Sequence, residues 1–388
     1  MRYVARKVLG FSRKRFLHAL LKKKKYTEFN PNGARRFLCI QLNSIGDAIM
    51  SQPAWASLKV ALPSSEIDLL CLPHVAPLLK DDPSISRLYT LKSRRFRSWL
   101  FEDGRRAEEI LVRGHYDLVI DFTENPLSAS LCAQRFCPPS VGFRRLPESS
   151  PVGASLAPAY DCSFPYHSWE PLRGLFMRLV SPWVDIDKEN RSPMLYIGDP
   201  ALKDATESLR TKGWLPKRFI VAHPGAKWTP RRWPLEHWRR LIGKLGEILP
   251  YPILLLGGTE DKGLLHSIAE EKRTTSVSCL ASRETAFSAA LIKLAALCVC
   301  HDSGAMHIAA AVGTPSVALF GPGHPNKTAP PQKEGTHVLY SPMFCSPCTQ
   351  YYARDRCRRG VNFCMHAISP ERVLMEIEKI MRSEGKEA

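Results

Sequence analysis

The 388-residue sequence has no apolar run that approaches the roughly 20 residues required to span a bilayer. It also has no convincing secretory signal, because the apolar stretch at 16–21 is interrupted by His18 and is followed by four lysines where a cleavage site would stand. The sequence also lacks the composition of a disordered chain. Apolar residues make up 44% of it and charged residues 24%, which argues against wholesale disorder. We therefore expect a folded, cytoplasmic protein.

Acidic residues are scarce at the start of the chain. Residues 1–36 hold twelve lysines and arginines against the single acid Glu28, so this segment supplies +11 of the total charge of +18. Its apolar residues have a loose helical spacing, which is typical of a basic amphipathic helix on an anionic membrane surface, where each cation contributes roughly 1 kcal/mol. A solvated basic tail or a helix packed on the body is the open alternative. No nucleic-acid-binding motif accompanies the charge, so we do not expect nucleic acid as a partner.

From Arg36 onward, short runs rich in β-branched residues or leucine alternate with helical stretches, a pattern that predicts parallel sheets. The first half has helices at 47–62 and 105–113 and candidate strands at 37–42, 67–72, 87–91, 118–122 and 141–143. The second half repeats the pattern with candidate strands at 218–222, 252–256, 276–280, 297–300, 316–320 and 337–340.

Residues 147–200 are rich in proline and less periodic, and we interpret them as the neighbourhood of a hinge, with one helix at 169–180. The predicted fold class is α/β, with two doubly wound Rossmann-like domains that face a central cleft. The first domain covers 36–197 and the second 198–388, after a basic extension at 1–35.

The first chemical motif lies between the first strand and the first helix, at 41–47. Asp47 at the helix start could accept a proton from an acceptor hydroxyl, or it could simply be the N-cap of the helix. Gly46 permits a tight strand-to-helix turn, and Asn43 and Ser44 are the neighbouring candidates for the acceptor side. The three-glycine spacing of a dinucleotide-binding turn is absent.

Two further motifs follow strands of the second half. After the strand at 218–222, the cations Lys227, Arg231 and Arg232 crowd a loop that is well placed to bind a pyrophosphate, although a solvated basic turn explains them equally well. After the strand at 252–256, a Gly-Gly turn leads to Glu260 and Asp261. Either acid could accept hydrogen bonds from ribose hydroxyls, and an acidic helix cap is the alternative.

The segment 297–321 predicts one complete strand-helix-strand unit. Asp302 follows the strand directly and lies beside the start of a helix of small residues, where ligands bind in open α/β sheets. Backbone N–H groups at Ser303 and Gly304 are free to meet phosphate oxygens at such a helix start. An Asp that merely caps the helix remains the alternative.

Four of the twelve cysteines cluster near the end of the chain, at Cys345, Cys348, Cys357 and Cys364. Four thiolates at this spacing could hold a structural zinc or an iron ion, although the gaps after Cys348 and Cys357 fit no standard zinc knuckle closely. The other eight cysteines fall mostly in strands or apolar stretches and are interpreted as buried thiols.

Four segments, at 45–70, 223–241, 254–261 and 300–322, together resemble the bacterial heptosyltransferase family, glycosyltransferase family nine, in their order and approximate spacing. The resemblance covers roughly 36–373. It implies a GT-B fold, with an N-terminal acceptor domain and a C-terminal domain that binds a nucleotide sugar, usually an ADP-heptose. It also implies inversion at the anomeric carbon.

The resemblance places the family's catalytic carboxylate on Asp47 and the acid that contacts the donor heptose on Asp302. It also implies that the helix start from Ser303 to His307 binds the diphosphate and that Glu260 or Asp261 contacts the nucleoside. Where close members of the family have a lysine before the Trp-Pro pair, this chain has Arg231, with Lys227 four residues earlier. Cations and the helix dipole can stabilise the leaving diphosphate, so no cofactor is expected for catalysis. In autotransporter heptosyltransferases a cysteine cluster similar to the one here holds iron.

We therefore expect an inverting glycosyltransferase that moves heptose from ADP-heptose to a lipopolysaccharide core or a related surface glycan. Its partners would be the nucleotide sugar, a glycolipid acceptor and, through the basic extension, the inner membrane surface. A transferase of the same fold with another nucleotide sugar, or with a protein acceptor such as an autotransporter, is one alternative. A noncatalytic, metal-holding adaptor for membranes or nucleic acid is the other, but it would leave Asp47, Asp302 and Arg231 without a purpose.

Overall fold

The computed structural model describes residues 33–92, 102–123, 125–134, 136–146, 159–188, 191–270, 277–282, 284–348, 356–383 and 385. Nearly all of the basic extension predicted at 1–35 lies outside these residues. The chain separates into two compact units. Unit one runs to Arg191 except for the segment Pro77–Asp81, which belongs to unit two together with Ser192–Ala388. Within the described residues, no helix combines the length and the apolarity that a membrane span requires.

Unit one contains a parallel six-stranded sheet. Its strands are β1 (Arg36–Gln41), β2 (Glu66–Cys71), β3 (Arg87–Thr90), β4 (Leu118–Asp121), β5 (Ser140–Arg145) and β6 (Cys162–Tyr166). Its helices are α1 (Ile45–Ala61), α2 (Ala76–Leu79), α3 (Gly104–Gly114), α4 (Pro126–Cys132) and α5 (Leu172–Arg178). The strand order is β3-β2-β1-β4-β5-β6, so the direction of winding reverses between β1 and β4. Ligands of doubly wound sheets bind beyond the carboxyl ends of the strands at such a switch point.

Strand β6 lies in the region that we interpreted as a hinge, and the sequence analysis missed it. It pairs in parallel with β5, with Pro165 opposite Arg144. Four of its five residues are half-buried or exposed, so the strand shows no apolar pattern. A proline is tolerated there because β6 is an edge strand, where one row of backbone groups has no ladder to complete.

Helix α1 is buried along most of its length, from Gly46 to Leu58. Glycine, alanine and serine at many of these positions let its backbone lie close to the sheet. Trp55 anchors its middle, with its ring edge-on to Phe122 at a centroid distance of 5.9 Å, and Phe122 in turn contacts Phe176 of α5 at 6.0 Å. This packing holds the first turn of α1, and with it Asp47, at the carboxyl end of β1.

Unit two repeats the architecture. Its strands are β7 (Ile220–His223), β8 (Ile253–Gly257), β9 (Val277–Ala281), β10 (Leu297–His301), β11 (Ser316–Phe320) and β12 (Thr336–Tyr340). Its helices are α6 (Asp199–Arg210), α7 (Leu235–Ile248), α8 (Lys262–Ala269), α9 (Thr285–Leu294), α10 (Gly304–Ala311), α11 (Pro325–Thr328), α12 (Phe363–His366) and α13 (Pro370–Ser383). The sheet is parallel in the order β12-β11-β10-β7-β8-β9, with its switch point between β10 and β7.

The strands beside this switch point, β10 and β7, lie in the buried centre of the sheet of unit two. All five residues of β10 are buried, as expected for a parallel strand that is covered on both faces. Strand β10 pairs with β7 on one side and β11 on the other. The loops that follow β7 and β10 therefore emerge next to each other. The predicted α/β class with two doubly wound sheets is confirmed.

Candidate active site

The first turn of α1, directly after the loop from β1, carries the carboxylate predicted as the catalytic base. Ser44 is the N-cap of α1, which is the role that the sequence left open for Asp47. Asp47 lies three residues later and accepts two hydrogen bonds on Oδ2, from the Ser44 backbone nitrogen at 3.1 Å and the Ser44 hydroxyl at 2.6 Å. The Asp47 side chain is half-buried, so it is oriented by its neighbour while it remains accessible.

The other acceptor-side candidates shape this loop. The side-chain amide of Asn43 donates to the carbonyl oxygen of Thr123 at 2.8 Å, and the Asn43 backbone nitrogen donates to the Gln41 side chain at 3.2 Å. Gly46 is buried inside α1 and does not have the left-handed backbone that a tight glycine turn would require. The hydrogen bonds of Asn43 thus fix the backbone of the loop.

Asp302 and Arg231 meet at the switch point of unit two. Asp302 is buried directly after β10, and Arg231 lies in the loop after β7. One guanidinium nitrogen, Nη1, lies 3.2 Å from Asp302 Oδ2 and donates to the Asp302 carbonyl oxygen at 3.0 Å. Thr328 Oγ1 donates to Asp302 Oδ1 at 3.3 Å. Arg231 Nε is buried and has no hydrogen-bond partner among the described residues.

The start of α10 completes this cluster. Ser303 is the N-cap of the helix, and its hydroxyl is buried without a hydrogen-bond partner in the described part of the chain. Gly304 is the first helical residue. His307, one turn later, is buried, and burial together with the nearby charge of Arg231 lowers its pKa to about 4, so the ring is neutral at physiological pH. A guanidinium, an unpartnered hydroxyl and a helix N-terminus together suit a phosphate group.

The three cations predicted for the pyrophosphate have different surroundings. Arg231 contacts Asp302, as described above. Arg232 is used within the fold, because it pairs with Asp261 at 3.0 Å and donates from Nε to the Ala226 carbonyl at 2.9 Å. Lys227 is exposed. Arg231 is therefore the cation that lies within the cluster at the start of α10.

The two acidic residues predicted to contact the nucleoside also differ in their burial and in their contacts. Asp261 is buried; its carboxylate accepts from the Gly258 nitrogen at 3.3 Å and pairs with Arg232. A Cβ atom on Gly225 would lie 2.2 Å from Asp261 Oδ2, so the glycine is what allows the two loops to approach. Glu260 is exposed at the same turn. Asp261 therefore connects the loop after β8 to the loop after β7. Glu260 is the acid that is accessible to a ligand.

His301, the last residue of β10, is a structural contributor that the sequence analysis missed. Its Nε2 accepts a hydrogen bond from the Trp233 backbone nitrogen at 2.9 Å, and its Nδ1 lies 3.5 Å from the Gly225 carbonyl oxygen. Burial lowers the pKa of His301 to about 3. The neutral ring thus ties together both ends of the loop that carries Arg231. A histidine directly before the Asp-Ser-Gly turn was the available signal.

The four clustered cysteines line one cavity of about 180 Å³. Burial raises the pKa of Cys364 to about 11, and the other three thiols act in the same direction, which indicates that all four are neighbours. In the described residues, however, no three His, Cys, Asp or Glu side chains are arranged to hold a metal ion. The geometry therefore gives no support to the zinc or iron site predicted at Cys345, Cys348, Cys357 and Cys364.

Two doubly wound parallel sheets in one chain, each with polar side chains at its switch point, have the architecture of a GT-B glycosyltransferase. Comparison with known families gives the particular group: the model of glycosyltransferase family 9 (heptosyltransferase) matches residues 105–357. The chain belongs to this family.

Known proteins of this kind are similar over nearly the whole chain. Lipopolysaccharide heptosyltransferase 1 of Pseudomonas aeruginosa is 26% identical over 362 residues, which cover 89% of this chain and 98% of that protein. A family 9 glycosyltransferase from Veillonella parvula superposes with a TM-score of 0.74 at 20% identity, covering 90% and 97% of the two chains. The E. coli ADP-heptose lipopolysaccharide heptosyltransferase II gives a TM-score of 0.71 at 21% identity, covering 90% and 99%. These relatives give no support to a noncatalytic adaptor.

Proposed function

We propose that this protein transfers a heptose from ADP-heptose to a sugar of a lipopolysaccharide core or a related glycolipid, with inversion at the anomeric carbon. The observation that carries the proposal is the cluster of Arg231, Asp302, Ser303 and His307 at the switch point of unit two. It combines a cation, a helix start and unused hydrogen-bonding groups at the place where doubly wound sheets bind nucleotides.

In this proposal the cluster binds the donor. The guanidinium of Arg231 and the backbone N–H groups at the start of α10 bind the diphosphate, and the Ser303 hydroxyl adds a further donor. Asp302 accepts hydrogen bonds from hydroxyls of the heptose. Glu260 accepts hydrogen bonds from the ribose. The positive groups stabilise the charge that develops on the leaving diphosphate, so the chemistry requires no metal cofactor.

Asp47 acts on the acceptor. Its carboxylate removes the proton from an acceptor hydroxyl while that oxygen attacks the anomeric carbon of the heptose. The bond between this carbon and the diphosphate oxygen breaks, and ADP leaves with the electron pair. Because attack and departure occur on opposite faces, the configuration inverts, as in inverting glycosidases where water is the nucleophile. The two hydrogen bonds from Ser44 orient the carboxylate.

In this proposal the reaction takes place at the cytoplasmic face of the inner membrane. The positive charge of residues 1–36 supports this location, because anionic lipids attract such a segment. Sedimentation with anionic vesicles tests it: replacing all four lysines at 22–25 by glutamine should weaken binding, whereas replacing them by arginine should not. Equal binding of both variants would contradict the role of this charge.

The activity is tested by incubating the protein with ADP-heptose and a truncated lipopolysaccharide acceptor and measuring the product by mass spectrometry. We expect one added heptose and stoichiometric ADP. Asp47→Asn keeps the shape of the side chain but removes its basicity, and should reduce kcat by roughly 100-fold or more. Full activity of Asp47→Asn would contradict the assignment of the base. Calorimetric titration with ADP-heptose and UDP-sugars distinguishes the donor, since tighter binding of a UDP-sugar would contradict ADP-heptose.

A further inference from the structure

The loop between β1 and α1, which leads directly to Asp47, is held by a buried threonine that follows the neighbouring strand β4. Thr123 follows β4, which lies next to β1 at the switch point of unit one. Its hydroxyl accepts a hydrogen bond from the Leu42 backbone nitrogen at 2.8 Å and donates to the Ile40 carbonyl oxygen at 3.2 Å. Its own carbonyl oxygen accepts from the Asn43 side chain at 2.8 Å. Thr123 therefore makes three hydrogen bonds across the switch point to the end of β1 and the loop.

A second set of contacts connects this loop to α1. The buried side chain of Gln41 accepts from the Asn43 nitrogen at 3.2 Å and donates to the Ser51 hydroxyl at 3.0 Å. Ser51 Oγ donates to the carbonyl oxygen of Asp47 at 2.9 Å. A displacement of residues 42–44 would therefore also displace the first turn of α1, where the Asp47 carboxylate begins.

Thr123 is itself fixed by buried groups. The carboxylate of Asp121 accepts from the Thr123 nitrogen on Oδ1 and from the Tyr160 hydroxyl on Oδ2, both at 2.8 Å. Asp121 is fully buried, and Tyr160 is nearly so. Gly142 of β5 makes room for the tyrosine, because a Cβ atom there would lie 2.4 Å from the ring. Contacts thus continue from the outer part of the sheet to the loop of Asp47.

We infer that Thr123 is a positioning residue for the transfer reaction: held by Asp121 and Tyr160, it sets the position of the loop at 42–44 and hence of the Asp47 carboxylate. This role rests on the proposed function of Asp47 and extends it to residues that do not contact the substrate. A general base must lie within hydrogen-bonding distance of the proton that it removes. A misplacement of about 1 Å can cost roughly 100-fold in rate.

The test compares two substitutions of Thr123 in the full-length protein. Thr123→Val keeps the shape of the side chain but removes the hydroxyl, whereas Thr123→Ser keeps the hydroxyl. We expect Thr123→Val to lower kcat by roughly 10- to 100-fold, with the KM for ADP-heptose within about twofold of the wild-type value, since the donor cluster lies in unit two. Thr123→Ser should restore kcat to within about threefold of wild type. The acidic limb of the pH profile of kcat, which reports the ionisation of the base, should move in Thr123→Val and not in Thr123→Ser.

Asp47→Asn, measured in parallel, separates the two hypotheses. If Asp47→Asn retains wild-type kcat, the proposed base is wrong, whatever Thr123 does. If Asp47→Asn is inactive but Thr123→Val has wild-type kcat and pH profile, the positioning role is overturned. A wild-type circular dichroism spectrum and a cooperative urea-denaturation transition verify that Thr123→Val is folded, because ADP-heptose binding in unit two would not report on unit one. If it is not, Tyr160→Phe, which removes one hydrogen bond to Asp121, provides the test: kcat should fall at unchanged donor KM, and a wild-type kcat would overturn the inference.

Discussion

For single residues, the cluster at the start of α10 that is proposed to bind the donor depends on which cation contacts Asp302. The sequence offers Lys227, Arg231 and Arg232 within one loop, and their spacing does not distinguish them. In the structure Arg231 contacts both the carboxylate and the carbonyl oxygen of Asp302, Arg232 pairs with Asp261, and Lys227 is exposed. Arginine suits this position because its planar group can hold two partners at fixed angles, whereas a lysine provides a single point of charge.

Substitution of Arg231 tests this difference. Arg231→Lys keeps the charge but loses the geometry, so kcat/KM for ADP-heptose should fall by roughly 10- to 100-fold in steady-state assays. Lys227→Gln removes an exposed charge of the same loop and should have a smaller effect. A larger loss in Lys227→Gln than in Arg231→Lys would identify Lys227 as the residue that binds the diphosphate.

At the scale of elements, the predicted strands of both sheets agree with the structure to within one or two residues at most of their ends, because most of them have a short apolar run bounded by turn residues. Strand β6 escaped prediction for the opposite reason. It is a half-exposed edge strand with a proline, and only its pairing with β5 defines it. The packing of glycines against other elements is likewise invisible in the sequence.

Two glycines of unit one provide a matched pair for this point. Gly142 in β5 lies against the Tyr160 ring, whereas a Cβ atom on Gly174 in α5 would have no described atom within 4 Å outside its own helix backbone and its chain neighbours. Gly142→Ala should lower the free energy of unfolding by about 2 kcal/mol, because the ring must move. Gly174→Ala should raise it by about 0.5–1 kcal/mol, since alanine is the better helix former. Urea denaturation measures both, and equal effects of the two substitutions would contradict the packing of Tyr160.

At the scale of the whole molecule, two buried neutral histidines make stability depend on pH. Burial lowers the pKa of His301 to about 3 and, together with Arg231, that of His307 to about 4, from 6.5 for an ordinary histidine. Below pH 6.5 the unfolded chain therefore binds protons that the folded chain does not. The free energy of unfolding should fall as the pH drops from 6.5 toward 4, by about 2 kcal/mol for each ring at pH 5 relative to neutral pH.

Urea denaturation of wild type and His307→Gln at pH 7.5 and pH 5 measures this effect. The variant lacks one of the two rings, so its loss of stability between the two pH values should be smaller by about 2 kcal/mol. Carboxylates titrate in the same range, but they contribute to both proteins and cancel in the difference. If the two proteins lose the same stability, His307 is not held neutral by burial.

Residue order alone predicts the alternation of strands and helices, the two doubly wound sheets and the position of each polar motif after a strand. These features follow from local periodicity and from the order of residues along the chain, and both are contained in the sequence. The four motifs at 45–70, 223–241, 254–261 and 300–322 also identify the family from the sequence.

The hydrogen-bond and ion-pair partners within each motif could be identified only from the tertiary structure. Ser44 is the N-cap of α1, and Arg231 contacts Asp302. Asp261 pairs with Arg232 within the fold, whereas Glu260 is exposed. The tertiary structure also revealed Thr123, which lies some 80 positions along the chain from the loop that it holds. The physical reason is that hydrogen bonds and ion pairs depend on distances of about 3 Å between atoms, and strand order, not sequence separation, determines these distances.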